Sequence, residues 1–340
     1  MTYDELLENA RKYLGPHCKG CAVCNGVACR NTMPGPGAKG TGDNAIRNYS
    51  RWRDIRINMD TLTDVRSADT SVEIFGRSFK YPIFAGPVGA VKMHYSDRYD
   101  DASYNNTLVS ACAEAGIAAF TGDGTDPMVM EHACSAIKNS SGAGIPTVKP
   151  WNMETIKEKL ALVRSSKAFA CAMDIDGAGL PFLKNMDPPA GNKSTDELHA
   201  VAEEAGVPFI VKGIMTVKGA VKAVEAGASG IIVSNHGGRV LDQCPATAEV
   251  LAEIADAVRG KITIFVDGGI RSGTDVFKAL AMGADAVVIA RPYVTAVYGG
   301  DAEGVRLYTE KIGEELRDAM LMCGAASLKD IDRSMVRLPR

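Results

Sequence analysis

The sequence predicts an α/β protein, a (β/α)8 TIM barrel behind an N-terminal extension. Three observations predict it. From about residue 80 onward, eight short apolar runs alternate with stretches of helical periodicity. The runs are continuously apolar rather than alternating, as in parallel strands buried on both faces. Several helical stretches stop at a glycine just before the next run, at Ala115-Gly116, Ala226-Gly227 and Met282-Gly283. Eight such units in about 220 residues suit a closed barrel. A doubly wound open sheet is the rival fold. Its first turn usually carries Gly-x-Gly-x-x-Gly, and here the first run ends in Gly86-Pro-Val-Gly89.

Taken in order, residues 1–79 form the extension and residues 80–340 the barrel. Asp4 to Leu14 has apolar positions at helical spacing and predicts a short amphipathic helix. Cys18, Cys21, Cys24 and Cys29 follow, then Met33-Pro-Gly-Pro-Gly-Ala-Lys-Gly-Thr-Gly42, which is an irregular loop. The eight predicted strands are Tyr81–Ala85, Ala118–Thr121, Pro146–Lys149, Ala168–Met173, Pro208–Lys212, Gly230–Ser234, Ile262–Val266 and Ala286–Ala290. Helical stretches such as Thr216–Ala226 and Thr247–Val258 lie between them.

Composition narrows the function. The chain has 340 residues, 46% of them hydrophobic, enough for a large core without disulfides. Lys plus Arg is 38 and Asp plus Glu is 41, so the formal charge is −3 and nothing points to nucleic acid. No apolar run approaches the roughly 18 residues of a spanning helix. The acidic start, Met1-Thr-Tyr-Asp-Glu, lacks the layout of a signal peptide, and the expected location is cytoplasmic. Nine cysteines include four within twelve residues, a density that reads as metal binding in a reducing compartment.

A barrel's active site lies at the C-terminal ends of its strands. Strand five ends in Lys212, strand six in Ser234-Asn-His-Gly-Gly-Arg239, strand seven in Asp267-Gly-Gly-Ile-Arg271-Ser-Gly-Thr274 and strand eight in Ala290-Arg291-Pro292. The last two occupy the usual phosphate site of such barrels. Glycine lets backbone N–H groups close on an anion, the next helix points its positive end there, and arginine adds a forked donor. A histidine near neutral pKa, His236, can take a proton, and Arg239 beside it can hold a carboxylate with two parallel bonds.

These residues carry a resemblance. The stretch Ser234-Asn-His-Gly-Gly-Arg-Val-Leu-Asp242, with Pro245-Ala-Thr247, Asp267 to Leu280 and Arg291-Pro292, resembles the FMN-dependent α-hydroxy acid oxidase/dehydrogenase family of glycolate and lactate oxidases. Asp43-Asn-Ala-Ile-Arg-Asn-Tyr-Ser-Arg-Trp52 resembles the same family's N-terminal segment. The resemblance implies an FMN enzyme that oxidises a lactate-like 2-hydroxy acid, with His236 as base and Arg239 on the substrate carboxylate. It places Lys212 at the flavin N1–O2 edge, and Asp267, Gly268, Gly269, Arg271, Ala290 and Arg291 at the phosphate. Pro87, Val88 and Thr121 would line the ring, with Ser234 also at the cofactor. The resemblance implies a small carboxylate as substrate; the electron acceptor is either oxygen or, if the cysteine group holds a cluster, an electron-acceptor protein or quinone, and a second copy of the chain is a further expected partner.

Three features depart from that family. Lys149 stands where it has a tyrosine after strand three, and becomes a second candidate for the substrate carboxylate. Strand four ends in Asp174-Ile-Asp176-Gly-Ala-Gly-Leu180 and lacks the family's second arginine; these acids are either a solvated loop or part of the site. The segment Cys18-x2-Cys21-x2-Cys24-x4-Cys29 replaces another tyrosine-bearing stretch and resembles the iron–sulfur runs of bacterial ferredoxins. It can wrap an iron–sulfur cluster or a tetrahedral zinc. Two other functions compete: an isomerase like type II isopentenyl-diphosphate isomerase, and a flavin/iron–sulfur protein that only relays electrons.

Overall fold

The structure is a computed structural model that describes residues 1–186 and 190–339. Eight parallel strands close into a barrel: β1 (Ile83–Ala85), β2 (Ala118–Thr121), β3 (Gly144–Val148), β4 (Cys171–Asp174), β5 (Phe209–Ile214), β6 (Gly230–Val233), β7 (Thr263–Val266) and β8 (Ala286–Ile289). All eight predicted runs are strands, with ends shifted by a few residues. The largest shift is at β4, which starts at Cys171 rather than Ala168.

The apolar runs serve two layers at once. Side chains alternate along a strand, so Phe84 points to the barrel axis while Ile83 and Ala85 face the helices. On the axis, the Phe84 and Phe265 rings meet edge to face at 5.4 Å, and Phe120 meets Phe265 at 5.8 Å. A hairpin of Val72–Ile74 and Arg77–Phe79 adds Ile74 and Phe79 to this inner cluster; Phe79 lies 4.9 Å from Phe84. The hairpin thereby plugs the N-terminal end of the barrel and leaves the other end as the mouth.

The extension begins with helix α1 (Tyr3–Tyr13), which starts at a capping box between Thr2 and Glu5. Helix α2 (Asp43–Asp54) lies against the loops of the mouth. Asn48 and Asn235 exchange side-chain hydrogen bonds of 2.7 and 3.0 Å, both residues being buried. Trp52 Nε1 donates to the Gly268 carbonyl at 2.8 Å. These contacts fix the loops after β6 and β7. The remaining barrel helices are α3 (Asp101–Glu114), α4 (Pro127–Asn139), α5 (Met153–Ser166), α6 (Thr195–Ala205), α7 (Val217–Glu225), α8 (Thr247–Val258), α9 (Gly273–Ala281) and α10 (Arg291–Met322). Among the described residues, no helix is long and apolar enough to cross a membrane.

Candidate active site

The strand ends surround a cleft of about 1220 Å³, part of it open to solvent. Pro87, Val88, Lys149, Lys212, His236 and Arg239 line it, as do Asp267, Gly268, Gly269, Arg271, Ala290 and Arg291. Thr121 and Ser234 do not. Thr121 is fully buried, and Gly122 takes the lining position beside it. Ser234 works behind the wall: its Oγ donates to Asp267 Oδ2 at 2.8 Å and accepts the His236 N–H at 3.1 Å.

The loop after β6 makes a tight corner. His236, Gly237 and Gly238 all have positive φ, of 56°, 64° and 82°. A non-glycine residue in that region is strained, and such strain collects at functional sites. A side chain at Gly238 would come within 2.6 Å of Asn44 Cβ on α2, so only glycine allows the close approach.

His236 sits among charges. Its Nδ1 lies 2.8 Å from Asp176 Oδ1 and 3.9 Å from Asp174 Oδ2. Lys212 Nζ is 3.4 Å from the same ring nitrogen, 3.8 Å from Asp176 and 3.9 Å from Asp267. Lys149 pairs with Asp174. Burial first, then the cations Lys212 and Lys149, hold His236 well below its ordinary value, against the pull of Asp174. Those effects favour the neutral imidazole. With its proton on Nδ1 it donates to Asp176, and Nε2 keeps a free lone pair. Burial would lower Lys212, but Asp176, Asp267 and Asp174 outweigh it and the net direction is up. Burial pushes Asp267 up to about 6, with Lys212 opposing.

Asp174 and Asp176 thus belong to the site. The sequence left them open because an Asp-Ile-Asp run before glycines also reads as a solvated loop. A further residue, Asp123, went unnoticed. It follows β2 and is buried, and its two oxygens accept from Lys149 N at 3.0 Å, Trp151 Nε1 at 2.7 Å, Lys159 Nζ at 2.8 Å and Gly124 N at 2.8 Å. It pins the backbone that carries Lys149.

The phosphate end suits an anion. Arg291 opens α10, its side chain lines the cleft, and its Nη1 is buried with no partner among the described residues. A buried guanidinium nitrogen without an acceptor is costly, and a phosphate oxygen supplies one. Gly268 and Gly269, at φ of 86° and 83°, line the cleft beside it. The residues present fit FMN: Arg291 and the Gly268–Gly269 loop offer donors to an anion, and Lys212 offers a positive charge in the same cleft.

The extension reaches the same cleft. Arg239 Nη1 donates to the carbonyls of Gly35 and Gly37 at 2.5 and 2.9 Å, so part of its fork is held by the loop after the cysteines. Arg271 Nε donates to the Cys24 carbonyl at 2.7 Å, and its Nη2 lies 3.7 Å from Cys24 Sγ. All four cysteines of the segment are free. Among the described residues, no three of their sulfurs lie within 4.8 Å of one another.

The comparisons agree with this geometry. A family profile described as FMN-dependent dehydrogenase matches residues 35–181 and 183–338. The 2-hydroxyacid oxidase 1 of Mus musculus is 45% identical over 338 residues, covering 86% of this chain and 87% of that protein. A peroxisomal (S)-2-hydroxyacid oxidase of Arabidopsis thaliana is 32% identical over 325 residues, covering 85% and 87%. A solved structure of a mandelate oxidase variant with an FMN adduct superposes with a TM-score of 0.77 at 28% identity, covering 98% of this chain and 99% of that one. With a matched profile over most of its length and a cleft built for the cofactor, the chain belongs to the FMN-dependent dehydrogenase family and is a flavin-dependent oxidoreductase.

Proposed function

We propose that the enzyme oxidises a 2-hydroxy acid to the 2-oxo acid with His236 as its base. One observation carries the reading: a half-buried imidazole tied through Nδ1 to Asp176 at 2.8 Å, in a cleft that also presents Arg239 and Lys212. Arg239 and Lys149 are the cations for the substrate carboxylate, and the substrate hydroxyl proton goes to His236 Nε2. Bound FMN supplies the hydride acceptor. Lys212 places positive charge where the reduced ring becomes anionic, and Arg291 and Arg271 with Gly268, Gly269 and Ala290 hold the phosphate end. Asp267, expected with them, instead turns its carboxylate to Lys212 and Ser234 and steadies that lysine. Pro87 and Val88 flank the ring site, with Thr121 and Ser234 supporting it from behind.

The four cysteines hold a metal centre in this reading, an iron–sulfur cluster or zinc, and an acceptor protein or quinone takes the electrons. All nine cysteines are free, which suits a reducing compartment, the cytoplasm in our reading. An isopentenyl-diphosphate isomerase has no use for the His236–Arg239 pair, and a pure electron relay has none for a base. The test is anaerobic bleaching of the oxidised flavin by a panel of 2-hydroxy acids. At least one should reduce wild type, and His236→Ala should keep its flavin and lose about 10²-fold or more in rate. Wild-type rates in the variant would assign the proton to another group.

A further inference from the structure

The cysteine segment carries more than the unspecified centre of the preceding reading, on which this inference rests. Zinc bonds to thiolate at about 2.3 Å, so a zinc tetrahedron draws its sulfurs to about 3.8 Å from one another. No three of these sulfurs, among the described residues, are within 4.8 Å of one another. In every trio, therefore, at least one pair of sulfurs stands wider apart than one ion uses. Even so, the four thiols come from one short loop of twelve residues.

The segment is also anchored in that open form. Arg11 Nε on α1 donates to the Gly20 carbonyl at 2.8 Å. Gly26, at φ of 86°, packs so tightly on α2 that a Cβ there would lie 2.8 Å from Ala45 Cβ. Thr32 Oγ1 donates to the Cys29 carbonyl at 2.7 Å, and Arg271 holds the Cys24 carbonyl from the barrel side. These contacts hold the backbone of the loop in place on both sides of the thiols.

Charge supplies a second, independent pointer. Two guanidiniums lie near the cysteines: Arg271, whose Nη2 is 3.7 Å from Cys24 Sγ, and Arg291, whose charge acts on Cys24, Cys29 and Cys18. Cations at this position compensate a multiply charged anionic centre. A cubane of four irons and four sulfides, held by four thiolates, is such an anion, and its corners keep the thiolates farther apart than one ion does.

We propose that Cys18, Cys21, Cys24 and Cys29 ligate a four-iron, four-sulfide cluster seated against Arg271 and Arg291 beside the cofactor cleft.

The test uses the full chain purified anaerobically with its flavin. Iron, acid-labile sulfide and zinc are measured per chain, and the dithionite-reduced protein is examined by low-temperature electron paramagnetic resonance. We expect about four irons and four sulfides per chain and a resonance from the reduced cluster. Cys21→Ser and Cys24→Ser should lose most of the iron, and Cys244→Ser, outside the segment, should keep it. Stoichiometric zinc in place of iron overturns the proposal. So does a wild-type protein that holds no metal after anaerobic incubation with ferrous iron and sulfide, and so does iron that survives both serine substitutions. Flavin reduction by 2-hydroxy acids is followed on the same samples. A reduced flavin without iron removes the cluster alone, and iron without flavin reduction removes the proposed activity alone.

Discussion

Replacing Lys149 by methionine tests the balance of charge around His236. Lys149 and Asp174 form an ion pair whose side chains are 11% and 3% exposed. Methionine keeps most of the volume and removes the charge. The carboxylate left behind is buried, and its Oδ1 already has no partner among the described residues. Breaking a buried pair from one side costs about 3–5 kcal/mol, because the other charge stays in place. Lys149→Met with Asp174→Asn removes both charges, so the double variant should return to within about 2 kcal/mol of wild type. A second readout is pH. Burial, then Lys212 and Lys149, depress His236, so folding favours its neutral form. That contribution is present above the ordinary value of about 6.5 and is lost as pH falls through the lower folded value. Without Lys149 the folded value rises, and the acid limb of flavin reduction moves to higher pH. Denaturant unfolding of the single and double variants gives the energies, and anaerobic stopped-flow reduction across pH gives the limb. A cost under about 1 kcal/mol for Lys149→Met, or an acid limb moving to lower pH, would refute the charge argument.

Two further outcomes follow from the contacts. Arg291→Met should weaken FMN binding about 10- to 150-fold, the equivalent of about 1.5–3 kcal/mol for one charge-assisted hydrogen bond, as read by flavin fluorescence on titration. Unchanged affinity would remove Arg291 from the phosphate site. Asn48→Ala leaves the buried Asn235 Oδ1 without its donor and should cost about 1–3 kcal/mol in denaturant unfolding of the FMN-free protein; a loss below about 0.5 kcal/mol would mean that α2 is not pinned by this pair.

The barrel was legible because burial on both faces leaves a simple mark, a continuous apolar run, and this mark occurs eight times. The phosphate end was legible because glycine and arginine recur together at two strand ends. The charge network was not. Lys149 and Asp174 meet because β3 and β4 pair with Val148 beside Met173, a register that no local pattern encodes. Asp123 reads as a turn residue until Lys159 and Trp151, far along the chain, converge on it. The role of α2 hides for the same reason: Asn48 and Asn235 are 187 residues apart, and each alone looks like an ordinary polar residue. The cysteine spacing was plain in the sequence; the reach of Arg271 toward Cys24 needed the folded chain.

The loop between the last cysteine and Arg239 behaves as a link of fixed length. At Gly37 the backbone comes so near Cys29 that a Cβ would sit 1.8 Å from its carbonyl oxygen, and the Gly37 carbonyl is itself a partner of Arg239. Lengthening that stretch by one residue would shift the guanidinium's anchor relative to the thiols. Transplanting the cysteines into a related barrel therefore means moving residues 18–42 as one cassette, with α2 as its receiving surface. Cysteines grafted alone would arrive without the strut that sets their distance from the substrate.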